Sequence, residues 1–179
     1  MPALPTPRRD GRYAVEVVCS GNICRSPSAA VVLGAKALAA GLDGVEVTSS
    51  GIGDWHVGNP MDERSAQVLA GAGYQPDHHR ARQVDAAALP AYDLVLAMDR
   101  SHLDDLLDLG ADPGRTMLFG EFDPVSPGAE VPDPYYGGPE GFEEVLRMVE
   151  RTSAALVDRL RTHVAAPRPT PSSRGPATT

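Results

Sequence analysis

The sequence predicts an α/β fold, a single domain built on a four-stranded parallel sheet flanked by helices on both faces. Three observations carry this expectation. Short β-branched runs alternate with segments of helical composition along nearly the whole chain. Its 179 residues suit one ordinary domain and are short for two. A glycine-containing loop also joins the first run directly to a helical segment, and ligands gather at such strand carboxyl ends in parallel sheets.

Tyr13 to Val18 (YAVEVV) is the first predicted strand, and the alanines and leucines of SPSAAVVLGAKALAA favour a helix after the loop. Val45 to Ser49 reads as the second strand and Asp62 to Ala70 as a helix. Asp93 to Met98 reads as the third strand, Ser101 to Leu109 as a helix, and Thr116 to Phe119 as the fourth strand. Beyond a long Pro- and Gly-rich loop, Phe142, Val145, Leu146, Val149, Leu156 and Leu160 recur at three- and four-residue steps, predicting a one-sided helix over Phe142 to Val164. Residues 1–12 and 165–179 are rich in Pro, Ser, Thr and Gly; both read as flexible tails around a domain spanning 13–164.

Composition narrows the function. Hydrophobic residues make up 42% and charged residues 22%, which is globular, and no apolar run approaches the roughly 18 residues that span a bilayer. The N-terminus MPALPTPRRDGR lacks the apolar stretch of a secretory signal, so the expected location is the cytoplasm, with no membrane partner. A net charge of −8 has the wrong sign for a surface that grips nucleic acid, so any anion site must be local. Cys19 and Cys24 are the only cysteines, too few for a disulfide framework or a structural zinc site.

The loop Cys19-Ser20-Gly21-Asn22-Ile23-Cys24-Arg25-Ser26 carries the chemistry. A loop leaving a parallel strand and opening a helix presents unpaired backbone N–H groups and the positive end of the helix dipole, a cradle for phosphate. Gly21 permits the tight course that turns those groups inward, and Asn22 tolerates unusual backbone angles while bracing the loop. Cys19, at the mouth of this cradle, sees the same field, which favours its thiolate and makes it the candidate nucleophile. Arg25 falls where the loop has curled back, and its planar fork can hold two phosphate oxygens. Ser26 is placed to cap the helix and to donate to the thiolate, and Pro27 suits the first helical turn. No GxxxxGK[ST] of the nucleotide-binding kind occurs in the chain.

The stretch VVCSGNICRSPSA resembles the signature of the low-molecular-weight protein tyrosine phosphatases. The likeness runs from Ala14 to about Arg161, through SSGIGDWHVGNP, HHRARQ, LAMDR and DPYYGG. It implies a covalent phosphocysteine intermediate and neither metal nor other cofactor. It also implies phosphotyrosine proteins and small aryl phosphates as substrates; a monomer is expected. Asp133 matches the family's general acid, which protonates the leaving group and then activates water. Trp55, Tyr135 and Tyr136 would wall the cleft with aromatic faces. Ser20, Ile23 and Cys24 belong to the phosphate loop. Asn22, Ser26, Ser49 and His79 match the network that supports it, and Asp99 is expected as a helix N-cap. The resemblance further implies a reversible disulfide between Cys24 and Cys19 under oxidation. Two departures, Ile52 and His102, are expected at the pocket rim, away from the chemistry. Three other readings remain open on this scaffold. Arsenate reduction passes electrons along three cysteines where this chain has two, and phosphoarginine hydrolysis goes with Thr at the position of Ile23. The third is a binding module that recognises phosphorylated partners without turnover.

Overall fold

The computed structural model describes residues 2–164; the C-terminal segment expected as a tail lies outside them. Four strands, β1 (Tyr13–Cys19), β2 (Val45–Gly51), β3 (Leu94–Ala97) and β4 (Thr116–Leu118), form one parallel sheet in the order β2-β1-β3-β4. Four helices connect and cover them: α1 (Arg25–Ala39), α2 (Glu63–Gly71), α3 (Arg100–Asp108) and α4 (Pro139–Val164). The expected α/β architecture is therefore present, with boundaries shifted by a few residues.

Alternation along the strands divides the core into two layers. Tyr13, Val15 and Val17 of β1, with Leu94 and Leu96 of β3, pack against Val32 and Leu33 of α1 and Val149, Leu156 and Leu160 of α4. Val18, Val95, Ala97 and Leu118 point to the opposite face and meet Leu106 of α3. This two-residue period fixes the register, because a slip by one position would turn every apolar side chain out of its layer. Register in turn sets Cys19 beside Gly51 and Val18 beside Ala97, so the loops that follow β1, β2 and β3 emerge at one edge.

The Pro- and Gly-rich segment after β4 is more structured than its composition suggests. It opens on a 3-10 turn, Phe119–Phe122, that buries both phenylalanines. Asp123 follows, fully buried, and accepts two hydrogen bonds from Arg151 Nε, at 2.9 and 3.1 Å, and one from Nη2, at 2.6 Å. Further along, Val131 N donates to Met98 O at 2.9 Å, which carries the segment to the end of β3 and brings Asp133 over the sheet edge.

Residues 2–12 do not form the free tail that their composition predicts. Leu4 enters the main core, 9% exposed. Arg159 Nη2 donates to Pro2 O at 2.8 Å, and His163 Nε2 and Tyr13 Oη donate to Pro5 O at 2.8 and 3.1 Å. Arg8 N donates to buried Asp93 at 2.6 Å. The segment's carbonyls serve as acceptors for side chains of α4 and β1, and its prolines have no N–H of their own to satisfy. No helix among the described residues is long and apolar enough to cross a membrane.

The Asp123–Arg151 pair ties the segment after β4 to α4, and the hydrogen bonds from Arg151 hold the Asp123 carboxyl below its ordinary range, against the opposing effect of burial. A depressed folded value means stability that is present above the ordinary carboxylate pKa of 3.8 and lost as pH falls through the folded one. Arg151→Met should cost about 2 kcal/mol at neutral pH, less than a fully buried pair because Arg151 is partly exposed. In Asp123→Asn this component of acid destabilisation should be absent, as urea unfolding at graded pH will measure.

Candidate active site

The turn from β1 into α1 rests on Asn22, whose φ of 57° is the only positive value at a non-glycine among the described residues. An L side chain in this region costs about 1–2 kcal/mol, so the surroundings must hold it there. Asn22 is 0% exposed, and its side-chain amide and its carbonyl oxygen are all engaged. Nδ2 donates to Ser26 Oγ and Ser49 Oγ, both at 2.9 Å, and Oδ1 accepts from Arg82 N at 3.0 Å. Asn22 O meets His79 Nε2 at 2.7 Å; a carbonyl only accepts, so Nε2 carries the proton. Burial pushes the His79 pKa down, in keeping with a neutral ring. Gly51, at the end of β2, lets the loop lie close: a Cβ there would stand 2.8 Å from Ser20 O and 3.0 Å from Asn22 N.

Ser26, expected to cap the helix and to donate to the Cys19 thiolate, is not the cap. Cys24 occupies the N-cap position and its side chain makes no capping bond. Ser26 Oγ lies 3.0 Å from Cys19 Sγ and 3.2 Å from Ser50 O, with its hydrogen available to either. Beneath it, Ser50 Oγ donates to Glu16 at 2.5 Å, and Arg82 Nη2 donates to both oxygens of the same buried carboxylate at 2.8 Å. Arg82 thus braces the loop twice, through its backbone and through Glu16.

Arg25 is 4% exposed, and both its terminal nitrogens have acceptors. Nη1 donates to Asp99 Oδ2 at 2.8 Å and to Val131 O at 3.2 Å, while Nη2 donates to Ser20 Oγ and Asp133 Oδ2, each at 3.3 Å. Asp99 does cap α3, accepting from His102 N at 3.0 Å, and in addition anchors the guanidinium from behind. Burial alone would raise the Asp99 pKa; hydrogen bonds from His102 and Arg25 outweigh it and hold the carboxyl well below the usual range.

These groups open onto one cleft of about 330 Å³. Cys19, Ser20, Gly21, Ile23, Cys24 and Arg25 form its floor, and Trp55, Asp133, Tyr135 and Tyr136 its walls. Asn22, Ser26, Ser49 and His79 do not line it; they hold the floor from behind. Tyr135 and Tyr136 meet edge to face with centroids 4.9 Å apart, and Tyr136 is 94% exposed, an aromatic face held out in water. Asp133 Oδ1 accepts from Tyr135 N at 3.1 Å, which sets the carboxylate at the cleft mouth. Arg64 of α2 donates to Tyr135 O at 3.1 Å and stacks 4.6 Å from the Phe142 ring, pinning this wall. Cys24 faces the same space with a thiol that burial pushes up to about 12, and both cysteines are free.

Several of these residues escaped the sequence reading. His56 lines the cleft beside Trp55, in the same GDWHVG segment. The Asp99–Arg25 pair, the Glu16–Arg82 pair and the burial of His102 depend on long-range packing that no local pattern signals. Neither departure residue is placed where expected: Ile52 packs against the second core layer, and His102 is buried under Ser20.

The description low molecular weight phosphotyrosine protein phosphatase belongs to the family model that matches residues 14–166. The chain belongs to this family. A low molecular weight protein-tyrosine-phosphatase of Streptomyces coelicolor is 45% identical over 158 residues, covering 85% of this chain and 96% of the relative. Among solved structures, YfkJ from Bacillus subtilis superposes with a TM-score of 0.79 at 32% identity, covering 87% of this chain and 98% of that one. Vibrio vulnificus Wzb, solved in complex with benzylphosphonate, does so at 0.74 and 30%, covering 83% and 99%.

The bracing of Asn22 can be tested against its backbone angle. Asn22→Ala should destabilise the protein by about 3 kcal/mol, the sum of lost buried hydrogen bonds and the left-handed angle. Asn22→Gly, which relieves only the angle, should recover about 1 kcal/mol of that loss in urea unfolding.

Proposed function

We propose that this phosphatase family member hydrolyses phosphotyrosine in proteins, with Cys19 as nucleophile, Arg25 as phosphate anchor and Asp133 as proton donor and then acceptor. The observation that carries this reading is that Cys19 and Asp133, far apart in sequence, line one cleft on either side of Arg25. Cys19 Sγ attacks phosphorus, forming an S–P bond as the bond to the tyrosyl oxygen breaks, and Asp133 gives that oxygen its proton. Water then attacks phosphocysteine, Asp133 takes its proton, and inorganic phosphate leaves as the Cys19 thiolate is restored. Backbone N–H groups of the loop and the Arg25 fork stabilise the charge that develops on the equatorial oxygens.

Aryl specificity rests on the walls. Trp55, Tyr135 and Tyr136 offer aromatic faces to a phenyl ring, and Ile23 adds an apolar floor. Small aryl phosphates fit the same argument; benzylphosphonate, bound by the Vibrio vulnificus relative, is of that size and chemistry. Arsenate reduction would need a third cysteine to carry electrons onward, and the sequence holds two. A non-catalytic binding module would have no use for a thiol and a carboxylic acid facing one another across an arginine.

Cys19→Ser should abolish hydrolysis of p-nitrophenyl phosphate while inorganic phosphate still binds; activity surviving in this variant would sink the mechanism. Asp133→Ala should slow turnover of phenyl phosphate, whose leaving group needs the proton, by about two to four orders of magnitude. Comparing phosphotyrosine, phosphoserine and phosphoarginine peptides, with arsenate assayed separately, tests specificity, and a preference for anything but phosphotyrosine overturns that part of the reading.

A further inference from the structure

His102 has no part in the mechanism above, yet it is buried in the first turn of α3 with its Nε2 only 2.8 Å from Ser20 Oγ. Its Nδ1 stands 3.0 Å from Asp99 Oδ1, off the axis of a well-formed hydrogen bond. Ser20 Oγ also accepts from Arg25 Nη2 at 3.3 Å, and Ser20 lines the cleft. A titratable ring is therefore joined through one hydroxyl to the surface that would hold a phosphoryl group.

We propose that His102 is a proton-dependent positioning residue, whose protonation decides whether the Ser20 hydroxyl donates into the phosphate cradle or away from it. A hydroxyl has one hydrogen and two lone pairs, and Arg25, which can only donate, occupies one of the lone pairs. In the neutral ring the proton belongs on Nδ1, because the other tautomer would set a lone pair against the Asp99 carboxylate at 3.0 Å. Nε2 is then an acceptor and draws the Ser20 hydrogen toward itself, away from the cleft. When the ring takes a second proton from solvent, Nε2 becomes a donor and fills the second lone pair of Ser20. The hydroxyl hydrogen is released toward the cleft, where it adds a donor for a phosphoryl oxygen. Oxyanion binding and proton uptake at His102 thereby promote each other, by the same factor in both directions.

The surrounding charges come from several elements. Asp99, from the cap of α3, stands beside the ring, and Arg25, from α1, pairs with Asp99. Asp133 reaches Arg25 from the opposite wall, Cys19 ends β1, and Arg100 pairs with Glu130 at the start of α3. β3 and β4, on which α3 packs, carry no titratable side chain. His56 in the cleft wall and His79 behind the loop are the other histidines at the site.

The inference rests on the loop holding a phosphate-like oxyanion, and the test keeps the two apart. Inorganic sulfate is the probe, since its charge is constant between about pH 5.5 and 8, the range in which histidine titrates. Binding is measured by calorimetry in a Cys19→Ser background, which removes the nearby thiol as a source of pH dependence and needs no turnover. Sulfate should bind about fivefold or more tightly at the acid end. His102→Asn, which keeps a polar side chain but cannot titrate, should remove that slope; Ser20→Ala should remove the same part, and the double variant no more. An unchanged slope in either variant overturns the proposal, because the proton then acts elsewhere, for example at His56. If His102→Asn does not fold, Ser20→Ala decides alone. Absence of sulfate binding at every pH would instead overturn the phosphate-site reading itself, and this inference with it.

Discussion

The site depends on keeping one buried asparagine in a left-handed conformation. Asn22 turns the chain between β1 and α1 through a left-handed angle, and that geometry would relax if its side chain were free. Four partners drawn from α1, β2 and the segment around His79 hold it. Ser26 stands on α1 and Ser49 on β2, while His79 and Arg82 come from the segment that follows α2, so the cost of the strained angle is spread through the fold rather than borne by the loop. The loop from Cys19 to Arg25 is pre-organised for this reason, held in one shape by contacts already made in the fold.

Charge is arranged with similar economy in a protein whose net charge is −8. Arg25 is buried, and a buried guanidinium needs a close anionic partner. Asp99 supplies one at 2.8 Å from behind, whereas Asp133 at 3.3 Å is the looser partner in front. The rear pair offsets desolvation and fixes orientation. The front edge of the guanidinium is left to a more weakly held, half-exposed carboxylate, so an incoming anion need not break the stronger bond.

Much of this was legible before any coordinates. The loop from Cys19 to Ser26, the four strands and the long final helix are written in local patterns: β-branched runs, a three-to-four-residue apolar step, glycine and asparagine at a turn. The resemblance added Asp133, which local reading would class as a turn residue before proline. What local pattern could not give is partnership at a distance. Asp99 looks like a cap and is one, but its second oxygen reaches Arg25 only because β1 and β3 are neighbours. His102 looks like a surface substitution until α3 is seen to press it under Ser20. Composition also misled at the N-terminus, because it does not show that the carbonyls of Pro2 and Pro5 meet donors on α4.

That N-terminal segment bears on the order of assembly. Pro2 and Pro5 accept hydrogen bonds from Arg159 and His163, in the last turns of α4. These contacts join residues 157 and 158 positions apart, so they form only when α4 is in place. The loop from Cys19 to Ser26 links β1 to α1, its neighbour in sequence, while Pro2 and Pro5 meet α4 across the longest sequence separations among the hydrogen bonds described. Loop-closure entropy makes such contacts late. The N-terminal strap is thus a latch on a nearly finished fold, closed only once α4 has packed against α1.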